Sequence, residues 1–203
     1  MKIIRSKRRT VSLSVGSDGE VIVRAPKTYP DEKIAKFVQE KSGWIERQRN
    51  KLSKVKAFEQ QFDFENKIYI LGEECSPAQF DMSMLTLNKN ELKKEIEKIY
   101  ETYSNEVLPE IAKEVIDKTG LKCYSIKLTK SKRVWGSFDR QYNMKLNHKL
   151  IVLPREIVVY VVIHELCHGL QLNHSPKFWA NVKSFCPNYK KLRNALKMYA
   201  FLL

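Results

Sequence analysis

Cysteine is scarce in this sequence: Cys75, Cys123, Cys167 and Cys186 are widely scattered with no C-x-x-C pair, which excludes a disulfide-stapled domain and points to reduced thiols. Glycine and proline are equally sparse, 7 of each in 203 residues, and this excludes collagen-like and low-complexity chains. Long apolar runs are missing too. The longest, Ile157 to Ile163, has seven residues, far short of the roughly 20 that span a bilayer. At the amino end, Arg5 interrupts the apolar stretch and Lys7, Arg8 and Arg9 follow, so no signal-peptide core is read and the cytoplasm is the expected compartment. No Gly-rich phosphate loop or Walker pattern occurs.

Acidic residues are also in deficit, 23 against 37 Lys plus Arg, for a formal net charge of +14. Such an excess attracts polyanions, so a nucleotide or nucleic acid is an expected partner through a basic surface, and no membrane is expected. With 43% apolar residues the chain can build a real core. Its length suits one compact unit or two small lobes.

Periodicity places the elements. Val11, Leu13 and Val15 alternate, Gly16 to Gly19 turns, and Val21, Val23 and Ala25 alternate again, which reads as a β-hairpin. A single amphipathic helix is expected over about 31–52, from Ile34, Phe37, Val38, Trp44 and Ile45. Short strands are expected between Phe62 and Leu87, including the Met82 and Met84 pair, so residues 1–88 read as an N-terminal α+β lobe. Leu92, Ile96, Ile99, Tyr103, Val107 and Ile111 then mark a long helix, with Pro109 inside it and Gly120 at its end. Three short alternating segments between Tyr124 and Leu146 predict a small antiparallel sheet. Pro154 ahead of the Ile157 to Ile163 run suits a helix start.

That run leads into His164-Glu165-Leu166-Cys167-His168, an H-E-x-x-H pattern. Four residues advance an α-helix by about 400°, so His164 and His168 leave one face a turn apart and can share a cation. Glu165 stands about 100° round, suited to act as general base on a water held there. Catalytic zinc takes three protein ligands and leaves a fourth position open. His174 is the nearest further histidine, yet in a continuous helix it would lie about 15 Å from His164, so the chain must turn first. Asn173 tolerates the left-handed conformation that ends helices, and Ser175-Pro176 is a helix-start signature. Zinc is the expected cofactor, with another divalent transition metal able to load the same nitrogens.

Val134-Trp-Gly-Ser137, Lys145-Leu-Asn147, Val161 to His168 and Asn173 to Trp179 together resemble the YgjP-like metallopeptidase family, which is related to SprT-type zinc proteases. Arg5 to Arg9, Val23 to Pro26 and Lys41 to Ile45 extend the resemblance over most of the chain. It implies an α+β fold with a zincin-like core, made of a long helix, a small antiparallel sheet, the HExxH helix and a following helix, over residues 89–203. It also implies metal ligands at His164, His168 and His174, with Glu165 catalytic. The activity implied is a metallopeptidase acting on a peptide or protein; a nucleoside triphosphate (UTP) pyrophosphatase and a nucleic-acid-associated binding module are the alternatives. Phe138 and His148 depart from the family, which commonly has Cys and Trp there.

Trp135, Gly136 and Ser137 are the candidate substrate-binding strand edge, because Gly permits close approach and an edge offers main-chain hydrogen bonds. Cys167 reads as buried filler and His148 as a packed or surface histidine. Phe178 and Trp179 are expected to hold His174 in place. Tyr142, Arg133 and Tyr160 are the candidates for an oxyanion donor.

Overall fold

The computed structural model describes residues 1–64, 67–80 and 88–203, and they fall into two compact units, Met1–Gln61 and Phe62–Leu203. The expected strand around Met82 and Met84 lies outside the described residues.

In the first unit, β1 (Lys2–Ser6), β2 (Ser12–Val15) and β3 (Val21–Pro26) form a sheet in the order β1-β3-β2. The expected hairpin is β2–β3, and β1 adds to it in parallel. The Arg5 guanidinium ties this strand down by donating to the carbonyls of Pro26, Lys27 and Tyr29 and to the Asp31 carboxylate. Val21, Val23 and Ala25 on one face of β3 bury against Ile34 and Ile45. These belong to two helices, α1 (Asp31–Glu40) and α2 (Ser42–Glu59), rather than the single one expected. The path breaks at Lys41 (φ −98°, ψ 8°), just ahead of Ser42 and Gly43, both poor helix formers.

The second unit begins earlier than the expected boundary at residue 88. Its first pieces, β4 (Ile68–Ile70) and β5 (Glu73–Cys75), form a hairpin around Leu71 and Gly72, both at positive φ. The Leu71 and Gly72 amides donate to the Ile151 and Val152 carbonyls at 2.6 and 3.1 Å. Gly72 packs on Pro154 so closely that a Cβ would lie 2.8 Å from its ring. These backbone bonds, with the packed rings of Phe62, Phe64, Tyr69, Tyr199 and Phe201, join the hairpin to the body of the second unit.

Helix α3 (Lys89–Thr119) opens on a capping box, Asn88 with Glu91, closes at left-handed Gly120, and carries Pro109 inside it. Then come β6 (Ser125–Thr129), β7 (Gly136–Phe138) and β8 (Asn143–Asn147), in the order β6-β8-β7. The sheet is mixed rather than antiparallel: β6 runs parallel to β8, and only β7 is antiparallel to it. Among the described residues, strand β7 is therefore an edge. Buried Asn147 ties the loop ahead of it by donating to the Ser131 and Val134 carbonyls at 2.8 and 2.9 Å. Asp139 caps the turn after it, accepting from the Gln141 and Asn143 amides at 2.9 Å each.

A 3-10 segment, His148–Val152, leads to α4 (Arg155–Cys167), whose Ile157, Val158, Val161, Val162 and Leu166 are buried; α5 (Pro176–Phe185) and α6 (Tyr189–Met198) complete the helices. The fold is α+β, with long helix, small sheet, HExxH helix and following helix in the expected succession. Among the described residues no helix is long and apolar enough to cross a membrane.

Candidate metal centre

His164 lies in the last turn of α4 and His168 caps its C-terminus. The chain then turns through Gly169 to Asn173. The Gln171 amide donates to the Cys167 carbonyl at 3.0 Å and the Gln171 side chain to Asn173 Oδ1 at 2.9 Å. The expected left-handed Asn173 is not found, since among the described residues the non-glycine ones at positive φ are Leu71 and Tyr142. Ser175 caps α5, its hydroxyl accepting from the Phe178 amide, with Pro176 in the first turn. His174 sits just ahead of this cap and folds back over α4.

The turn brings the three imidazoles together, one ligand atom of each within 4.8 Å of the others. His174 Nε2 is 3.0 Å from His164 Nε2. Two nitrogens bound at 2.0–2.1 Å to one tetrahedral ion stand about 3.3 Å apart, so this pair is spaced for a shared cation. Burial, with His168 and His174 alongside, pushes His164 down to about 3, and burial lowers His168 in the same direction. Both rings are therefore neutral at physiological pH, each with one nitrogen lone pair open to a metal. By spacing, donor chemistry and protonation, the set fits a divalent metal.

Apolar packing holds the rings. Phe178, fully buried, lies 5.0, 4.6 and 4.8 Å by ring centroids from His164, His168 and His174. Trp179 stacks on His174 at 5.6 Å. His164 Nδ1 is buried with no hydrogen-bond partner among the described residues, so the ring is oriented by these aromatic neighbours. Cys167 is wholly buried, as expected for filler.

Glu165 is 7% exposed, and burial pushes its carboxyl up to about 8. It packs against β7 at Gly136, where a Cβ would stand 2.8 Å from Glu165 Cγ and 2.9 Å from Oε1. Only glycine lets strand and carboxylate approach this closely. The metal cluster, Glu165 and residues Trp135, Gly136 and Ser137 line one cavity of about 570 Å³. Asn147 donates its amide to the Trp135 carbonyl at 2.8 Å. By antiparallel alternation this turns residues 135 and 137 toward β8 and leaves the main-chain groups of Gly136 facing the open edge.

Of the three candidate oxyanion donors, Tyr160 lines this cavity and Tyr142 and Arg133 do not. Its ring is 6.0 Å from that of His164, and burial pushes its hydroxyl up to about 12, so it keeps its proton. His148 lies elsewhere, lining a different cavity with Nδ1 3.2 Å from the Thr129 carbonyl. Sequence reasoning missed Arg193 and Lys197, which bring positive charge to this cavity from α6. No motif surrounds them, and a basic amphipathic helix gave no sign of which way it faced.

The family described as YgjP-like, metallopeptidase domain, matches residues 9–79 and 81–199. No curated protein matches. Among solved structures, the crystal structure of the metallopeptidase zymogen of Pyrococcus abyssi abylysin is similar, at 20% identity and a TM-score of 0.41, over 44% of this chain and 91% of that one.

Proposed function

Because the chain belongs to the YgjP-like metallopeptidase family, we propose that it is a zinc-dependent peptidase of the HExxH type. His164, His168 and His174 hold the ion, and Glu165 is the general base. The observation that carries this reading is the convergence of three imidazoles, a buried carboxylate and a free strand edge on one cavity. When bound, the divalent ion supplies the charge that brings an adjacent water toward a pKa of about 7.

The rest of the work falls to the chain's own groups. An extended peptide pairs with the free main-chain groups of β7 in β-addition, flanked by Trp135, Gly136 and Ser137, which lays its carbonyl over the histidines. Glu165 takes a proton from the attacking water and returns it to the leaving amine. Tyr160 donates its hydroxyl proton in a hydrogen bond to the oxygen that gains charge as the carbonyl is attacked.

The test pairs metal analysis with turnover of an unfolded protein substrate, in wild type and in Glu165→Gln. We expect one ion per chain in both proteins and turnover only in the wild type. Unchanged turnover in the variant would remove Glu165 from the mechanism. Hydrolysis of UTP with no peptide cleavage would replace the peptidase reading with the nucleotide one.

A further inference from the structure

We propose that the cavity selects peptides presenting a carboxylate beside the bond to be cut, and that Arg193, with Lys197 next to it, reads that carboxylate. This rests on the peptidase reading of the same site. Among the described residues lining the cavity, Glu165 is the sole acid and lies buried at its floor, whereas Arg193 and Lys197 are exposed cations at its mouth. Outside the histidines, no other described residue of the lining carries charge.

Arg193 is prepared for a planar anion. Its guanidinium carbon sits 4.4 Å above the Trp179 ring, and Trp179 is itself stacked on Tyr189 at 5.4 Å and on His174 at 5.6 Å. A guanidinium held over the face of an indole can keep edge donors free for a two-pronged grip on a carboxylate. Among the described residues no acid forms an ion pair with it. Lys197 comes one helical turn later, with its ammonium donating to Asn194 Oδ1 at 3.0 Å and further donors to spare. Like charges one turn apart repel, and an anion between them removes the repulsion.

The neighbouring walls, Val161, Leu196 and Ala200, are apolar and suit the methylenes that carry such a group. Two cations in an apolar setting, without a nest of backbone amides, match a single carboxylate better than a triphosphate. The same stacking places the reader on the residue that braces His174, so a bound acid sits next to the metal cluster.

The decisive experiment uses matched peptides with Glu, Gln or Lys flanking the cleavage point, each with a free or amidated C-terminus, so that side-chain and terminal carboxylates are told apart. For the metal-loaded wild type we expect kcat/KM about tenfold higher for the acidic peptide, expressed mainly in KM. Arg193→Gln should bring the acidic-to-neutral ratio near one, Arg193→Glu should turn the preference toward Lys, and Arg193→Lys should restore part of it. Tryptophan fluorescence of metal-loaded Glu165→Gln, titrated with the same peptides and with UTP, reads binding without turnover. Equal affinities for Glu and Gln peptides, or a ratio indifferent to Arg193→Glu, would overturn the proposal and leave the peptidase standing. Tight UTP binding with no acidic-peptide binding would overturn both.

Discussion

Replacing Gly136 by alanine inserts one methyl where no room exists. The new carbon would meet Glu165 Cγ at 2.8 Å, Oε1 at 2.9 Å and Cδ at 3.0 Å, against an ordinary separation of about 3.5–4.0 Å for carbon pairs. Something must therefore move by roughly 0.7 Å or more. Strand β7 is held by Asn147 ahead of it and by the Asp139 turn behind it, so the carboxylate is the part that yields. Displacing a reacting group by about 1 Å costs on the order of 100-fold in rate. Overpacking a core costs about 1–3 kcal/mol, and here the low end applies because Glu165 can swing into the cavity. The three histidines are not touched, so metal content should be unchanged. The assay is kcat/KM on a peptide, beside metal analysis and a thermal melt, in Gly136→Ala, Glu165→Gln and the double variant. Both changes act through one carboxylate, so the double variant should lose no more activity than Glu165→Gln alone. Wild-type turnover in Gly136→Ala would refute the reasoning, and so would loss of metal.

His174→Ala removes the one proposed ligand supplied from beyond the turn and should weaken metal binding by about 100-fold, measured by competition with a chelating dye; unchanged affinity would remove His174 from the ligand set. Phe178→Ala opens a hole among the three rings and should cost about 3–5 kcal/mol in chemical denaturation, with metal affinity falling alongside; a loss of stability with affinity intact would show that the rings need no brace. The metal-free protein should lose stability as pH rises from about 6.5 to 8. The Glu165 carboxyl, raised from 4.5 to about 8, keeps a proton in the folded state that the unfolded chain gives up, so its contribution falls with pH across that span at up to about 1.4 kcal/mol per unit. His164, lowered from 6.5 to about 3, works oppositely and offsets this below 6.5. Melts of chelated wild type and Glu165→Gln across this range check the point, and an equal decline in both would rule out Glu165 as its source.

The local parts of the site were legible because its chemistry is written in short spacings. H-E-x-x-H sets two imidazoles one turn apart, and Ser175-Pro176 announces the helix start that brings a third back. Partner choice was less legible. Alternation at Ser125 to Thr129 and Asn143 to Asn147 says which face each strand buries, but their parallel pairing depends on how the intervening chain crosses. The break at Lys41 interrupts a pattern whose apolar positions continue in register on both sides, so periodicity alone read one helix. The Ile68–Cys75 hairpin joins the second unit through main-chain bonds to Ile151 and Val152, which leave no trace in residue types. Arg193 lies over Trp179, which itself stacks on Tyr189, a set of contacts between residues of two helices that no local spacing announces.

Phe178 gives the three histidines a common mechanical support. If α5 lifts away, the ring against which His164 and His168 pack and the imidazole of His174 just ahead of that helix depart together. An ion held by all three imidazoles would then be lost with the seating of that helix, so metal content would report on whether α5 is docked.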